Sequence, residues 1–102
     1  MKFKEYFKKT KETAQYSDYQ FPYLALGLVG EAGEAADIIK KTVRYMKFGD
    51  KFSLVTTKDR TEDMKLELGD VLWYWCRLVD DLGFDPEELM EKNYKKLTER
   101  YA

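Results

Sequence analysis

The segment LVGEAGEAADII (residues 28–39) has the spacing of an amphipathic helix, but it carries acids where such a helix is normally apolar. At about 100° per residue, the apolar positions that share one narrow sector are Leu24, Leu28, Ala35, Ile39 and Met46. Glu31 falls inside this sector, and Glu34 falls just beside it. Because an unpaired carboxylate in apolar surroundings carries a severe desolvation cost, we expect a cation there, either a basic side chain or a metal ion.

A second acidic pair, Glu67 and Asp70, repeats the i, i+3 spacing in another helical stretch. Residues three apart on a helix project to the same side, so antiparallel packing of the two helices would bring all four acids together. Divalent cations relieve the repulsion in such a cluster. Since the chain has no histidine and the ligands are all oxygens, the pattern favours Mg²⁺, with Mn²⁺ as a substitute, over zinc. The alternative is a set of surface acids paired with lysines on neighbouring turns, because such spacings are common by chance.

The composition predicts one soluble helical domain spanning residues 1–102. Apolar residues make up 44% and charged residues 36%, which excludes long disorder. The net charge of −1 argues against a dedicated nucleic-acid binder. No apolar run reaches roughly 18 residues, so we expect no membrane association. The single cysteine excludes a disulfide framework, and we therefore expect a cytoplasmic protein.

The hydrophobic periodicity predicts an all-α fold of the four-helix-bundle type, with helices at about 2–15, 22–46, 59–82 and 85–99. Gly83 is expected to end the third helix in a left-handed conformation. Asp85 is expected to cap the fourth, with Pro86 in its first turn and Glu88 at the capping-box position. The third helix is apolar on nearly all sides, which in so short a chain indicates a subunit interface.

The link at residues 47–58 contains the turn signal Gly49-Asp50 and is interpreted as an ordinary surface connector. The alternative is a lid over a pocket, with Lys47, Lys51 or Lys58 reaching phosphate.

Three segments resemble the MazG-like nucleotide pyrophosphohydrolases of the all-α NTP pyrophosphatase superfamily. They are GLVGEAGEAADIIKK (27–41), ELGDVLWYW (67–75) and NYKKLTERY (93–101). The resemblance implies a helical bundle that assembles as a homodimer or homotetramer and binds Mg²⁺. It also implies hydrolysis of the α–β phosphoanhydride of a nucleoside triphosphate, giving a monophosphate and pyrophosphate.

Position by position, the resemblance assigns metal binding to Glu31, Glu34, Glu67 and Asp70, and substrate binding to Tyr74, Asn93, Lys96 and Arg100. Glu34 and Glu67 are the candidate catalytic carboxylates. Glu34 is a candidate general base, but the sequence does not distinguish this role from that of a metal ligand. The gap between Glu34 and Glu67 is longer than in compact members of the family, and a basic residue often found in that gap has no clear match.

Two other functions remain open at this point. The chain would fit phosphoribosyl-ATP hydrolysis, which keeps the reaction and changes the substrate, or a non-catalytic helical interaction module. Trp73, Trp75 and Tyr74 are candidates for stacking on a base, although packing in a core or an interface is the more common role of helical aromatic residues.

Overall fold

A computed structural model describes residues 1–16, 19–55 and 58–100 of the chain. The helices are α1 (Phe3–Lys9), which continues into a 3₁₀ turn (Thr10–Thr13), α2 (Gln20–Arg44), α3 (Thr61–Asp81) and α4 (Pro86–Arg100). The described residues contain no strand, and the predicted all-α fold is therefore confirmed.

The main packing contact of the fold joins α2 to α3. Tyr74 of α3 lies against Gly27 of α2, and Glu67, earlier in α3, lies by Glu31, later in α2. This reversed order shows that the two helices run antiparallel, as the convergence of the acids requires. The buried side chains along them are Leu24, Ala35, Thr42, Cys76, Arg77 and Val79.

The junction between α3 and α4 has the predicted helix-ending and helix-starting geometry. Gly83 has a φ of 77°, and the amides of Gly83 and Phe84 donate to the carbonyls of Asp80 and Val79, which is the Schellman pattern. Asp85 then accepts a hydrogen bond from the Glu87 amide at 3.0 Å, as an N-cap does. The turn therefore fixes where α4 begins.

The N-terminal segment is held on α3 by a buried arginine. Arg77 is 2% exposed and forms ion pairs with Asp80 at 2.9 Å and Asp81 at 2.7 Å. Its guanidinium also donates to the hydroxyls of Thr10 and Tyr16, and Tyr16 donates to Asp81. Because removing the arginine would leave these acids uncompensated, this network ties the first 16 residues to the helix pair.

A single chain leaves much apolar surface uncovered. Its radius of gyration is 16.8 Å, whereas about 13 Å is typical of a compact 100-residue domain. Within α3, Leu68, Leu72 and Leu82 are exposed, whereas Cys76 and Val79 are buried. The prediction of a broadly apolar helix is correct, but one chain alone does not bury it.

The link between α2 and α3 begins with the predicted turn. The Asp50 amide donates to the Lys47 carbonyl at 3.0 Å, and Gly49 has a φ of 91°. Lys47, Lys51 and Lys58 are exposed. Thr56 and Thr57, which belong to the suggested lid, lie outside the described residues.

Candidate metal centre

Three of the four predicted acidic ligands meet between α2 and α3. Glu31 comes from α2, and Glu67 and Asp70 come from consecutive turns of α3. One carboxylate oxygen of each lies within 4.8 Å of the others. This follows from the i, i+3 spacing on α3 together with the antiparallel packing. Carboxylate oxygens grouped in this way could hold one divalent cation.

The cluster is electrostatically strained in the absence of a cation. Burial raises the pKa of Glu31, and the negative charges of Asp70 and Glu67 and a hydrogen bond with Glu67 raise it further. Among the described residues, no lysine or arginine forms an ion pair with these three acids. The lysines near the end of α2 pair instead with Asp37. The geometry therefore disfavours the alternative of surface acids neutralised by lysines on neighbouring turns.

Glu34, the fourth predicted ligand, is exposed and lies outside the group of three. It is close enough that its charge contributes to the raised pKa of Glu31. Its roles as ligand and as general base remain predictions.

Tyr74 lies beside the acids, as the resemblance implied. A cavity of about 300 Å³ is lined by Thr13, Glu31, Asp70, Trp73 and Tyr74. A hydrogen bond with Tyr23, together with burial and the nearby acids, raises the pKa of Tyr74 to about 12. The phenol is neutral near pH 7 and keeps the proton that it donates to Tyr23.

Gly27 explains how the tyrosine ring reaches this position. A Cβ built on Gly27 would lie 2.1 Å from Cε1 of Tyr74, so only glycine lets the ring pack directly on the α2 backbone. By contrast, a Cβ on Gly30 or Gly33 would meet nothing within 4 Å in the single chain. Packing at the site therefore explains why residue 27 is glycine, but it does not explain Gly30 or Gly33.

The predicted substrate residues on α4 are not brought to the acids within one chain. Asn93 lines a separate cavity with Trp75, Leu89 and Met90. Lys96 and Arg100 are exposed farther along α4. Their contact with substrate remains a prediction.

Two residues near the site were not identified from the sequence. Tyr23 shares a face of α2 with Gly27 and Glu31, at steps of four. This spacing would have been enough to predict that Tyr23 lies near the site. Thr13, which accepts a hydrogen bond from the Trp73 indole at 2.7 Å, had no local signal, because its partner lies 60 positions away.

The donor set fits a hard divalent cation. Carboxylate oxygens are the preferred ligands of Mg²⁺ and Mn²⁺, and the chain contains no histidine. The partial exposure of the cluster also leaves room for the waters and phosphate oxygens that Mg²⁺ normally retains. Separately, no described helix has the length and apolar character needed to cross a membrane.

Comparison with known proteins agrees with this geometry. The chain is 40% identical over 78 residues to the Gene 37 protein of Mycobacterium phage L5, an alignment that covers 76% of this chain and 63% of that protein. No solved structure matches. The profile of the MazG nucleotide pyrophosphohydrolase domain matches residues 21–102, the part that contains every acid of the cluster. The chain therefore belongs to the MazG nucleotide pyrophosphohydrolase family.

Proposed function

We propose that the protein is a Mg²⁺-dependent nucleoside triphosphate pyrophosphohydrolase that hydrolyses the α–β phosphoanhydride to a monophosphate and pyrophosphate. The observation that carries the proposal is the convergence of Glu31, Glu67 and Asp70 on one point inside a MazG domain. These acids have no cationic partner among the described side chains, and a divalent metal ion would supply the missing positive charge.

Glu31, Glu67 and Asp70 are the residues proposed to hold Mg²⁺, with Mn²⁺ as a substitute and Glu34 as a further ligand. When bound, such an ion neutralises phosphate charge and makes a water molecule a better nucleophile at neutral pH. This role requires the carboxylates to be ionised, and binding of the ion would oppose the burial and neighbouring negative charges that raise the pKa of Glu31.

The surrounding residues have roles that their chemistry allows. Tyr74, neutral near pH 7, would exchange its hydrogen bond with Tyr23 for one donated to an oxygen of the substrate near the scissile anhydride. Glu34, exposed beside the cluster, accepts a proton from the attacking water. Water adds to the α-phosphorus, the bond to the bridging oxygen breaks, and pyrophosphate leaves. Lys96 and Arg100 are proposed to neutralise the charge on that leaving group.

We propose further that the working form is a homodimer or homotetramer. The accessible surface of one chain is 8062 Å², compared with roughly 6,000 Å² expected for a compact monomer of this size. The excess is larger than the roughly 800 Å² that each partner buries in a standard interface. Exposed Leu68 and Leu72 on α3 are natural parts of such an interface, and assembly would also offer a route by which α4 of another copy approaches the acids.

The test is incubation with each canonical NTP and dNTP, and with phosphoribosyl-ATP, with and without Mg²⁺. Formation of monophosphate plus pyrophosphate supports the proposal, whereas diphosphate plus phosphate, or no turnover of any nucleotide, contradicts it. Glu67→Gln should abolish turnover while leaving the helical circular dichroism signal intact. Glu62→Gln, which changes an exposed acid on the same helix, is the matched control and should remain active. If pyrophosphate release stayed at background in the wild-type protein and Glu67→Gln changed only stability or assembly, the protein would be an interaction module instead.

A further inference from the structure

The cavity beside the acids is lined by residues that the metal chemistry does not use. Besides Glu31 and Asp70, its lining includes Thr13 and Trp73. Its volume of about 300 Å³ is at the lower limit for small-molecule sites. Thr13 lies outside residues 21–102, the part matched by the MazG domain.

The indole of Trp73 is held in a defined orientation. Its Nε1–H donates to Oγ1 of Thr13 at 2.7 Å. It also packs edge-on against Tyr74, with ring centroids 5.0 Å apart and an interplanar angle of 83°. The Trp73 side chain is only partly buried, so a fixed aromatic surface remains accessible from the cavity.

The Thr13 hydroxyl is itself fixed. It donates its single proton to the Thr10 carbonyl at 3.2 Å, which leaves a lone pair directed to the indole. Thr10 is buried and is hydrogen-bonded by Arg77 at 3.4 Å. The 3₁₀ turn that contains Thr13 is therefore hydrogen-bonded to α3 through Thr10 and Arg77.

The other tryptophan has a different environment. Trp75 packs against Phe3 of α1, with ring centroids 6.2 Å apart, and lines the separate cavity that contains Asn93. Of the two tryptophans that the sequence offered for stacking, only Trp73 lies in the cavity that contains the acids.

We propose that Trp73, oriented by Thr13, is the surface on which the base of the substrate packs. In a nucleoside triphosphate the nucleoside is attached to the α-phosphate, which is the phosphate that water attacks. With that phosphate at Glu31 and Asp70, the nucleoside must lie next to them, and Trp73 lines the same cavity. The N-terminal segment thereby contributes to nucleoside affinity from outside the family domain. This inference rests on the proposed pyrophosphohydrolase activity.

The experiment separates binding of the base from binding of phosphate. Dissociation constants in Mg²⁺ are measured by calorimetry for pyrophosphate and for the monophosphate of the nucleotide that the protein hydrolyses fastest. Because stacking on an aromatic side chain contributes to base affinity, Trp73→Leu should weaken monophosphate binding about tenfold and leave pyrophosphate binding within about twofold. Thr13→Val, which removes only the hydroxyl, should weaken monophosphate binding about threefold, and Thr13→Ser should restore it.

Matched controls make the result specific. Thr98→Val removes a hydroxyl that bonds only the Lys95 carbonyl on α4 and should change neither constant. Trp75→Phe leaves Trp73 as the single tryptophan, and its fluorescence should be quenched by the monophosphate but not by pyrophosphate. If the wild-type protein hydrolyses nucleotides but Thr13→Val and Trp73→Leu leave monophosphate binding unchanged, or weaken binding of both ligands equally, the inference is wrong and the activity stands. If no nucleotide is hydrolysed, the proposed function fails and the inference fails with it.

Discussion

Neutralising one acid of the cluster should stabilise the metal-free protein and abolish its stabilisation by Mg²⁺. Two unit charges at 4.8 Å, the limiting separation in the cluster, repel by about 1 kcal/mol at the dielectric constant of water and by about 3 kcal/mol at an effective value of 20. Glu67 faces both Glu31 and Asp70, and Asp70 is exposed, so the lower value is the appropriate one. We expect Glu67→Gln to raise the free energy of unfolding without metal by about 1 kcal/mol, or roughly 5 °C in melting temperature for a chain of this length.

Addition of Mg²⁺ should make the wild-type protein more stable than Glu67→Gln. At a free concentration of one hundred times the dissociation constant, an ion that binds only the folded state stabilises it by about 2.7 kcal/mol. The wild-type melting temperature should therefore rise by more than about 10 °C, while that of Glu67→Gln should change little. Differential scanning fluorimetry over a Mg²⁺ titration measures both effects, with Glu62→Gln as the control that keeps the wild-type response. A lower melting temperature of metal-free Glu67→Gln, or an equal Mg²⁺ shift in both proteins, would refute the reasoning.

Three other outcomes are expected. Gly27→Ala should reduce nucleotide turnover about tenfold or more, because its Cβ would displace the neighbouring tyrosine ring. Gly30→Ala, which meets open space, should keep turnover and gain up to about 1 kcal/mol of helix stability, and similar activities in the two variants would contradict this. In urea denaturation, Arg77→Met should lose about 3 kcal/mol because the buried guanidinium is removed and its two partly buried aspartates are left uncompensated. Lys41→Met, which breaks an exposed ion pair, should lose less than about 1 kcal/mol, and equal losses would show that burial of the arginine has no energetic consequence. Burial raises the pKa of Cys76 to about 11, so Ellman's reagent at pH 8 should label the thiol only after unfolding, and rapid labelling of the native protein would contradict this.

Most helix boundaries could be predicted because local signals set them. The Gly83 and Asp85 signals placed the α3–α4 junction within one or two residues of its observed position. The first helix was predicted to reach residue 15, but its α-helical part ends at Lys9. The Thr10 hydroxyl donates to the Phe7 carbonyl at 2.7 Å, and threonine hydroxyls that bond the backbone compete with regular helix formation. The periodic pattern did not reveal that competition.

The candidate site was predictable to the extent that it depends on spacing along a helix. The positions of Glu67 and Asp70 on one face of α3 follow from periodicity alone. Glu31 is predicted as a ligand because it is an acid in an otherwise apolar sector of α2. The wall formed by Thr13 and Trp73 was not predictable in this way, because it depends on how the N-terminal segment packs on α3. The positions of the predicted substrate residues on α4 depend in the same way on packing rather than on spacing.

The acids of α3 have two different electrostatic environments. Near the end of the helix, Asp80 and Asp81 lie where the helix dipole disfavours negative charge, and the buried Arg77 compensates both of them. Two to three turns earlier, Glu67 and Asp70 face Glu31 with no such partner among the described side chains. Cations are not scarce, since the chain has 18 lysines and arginines for 19 acids, and the ion pairs formed by the lysines lie elsewhere on the surface. Leaving three acids together without a basic side chain is expected to cost folding stability, and under the proposed function a bound divalent cation would recover it.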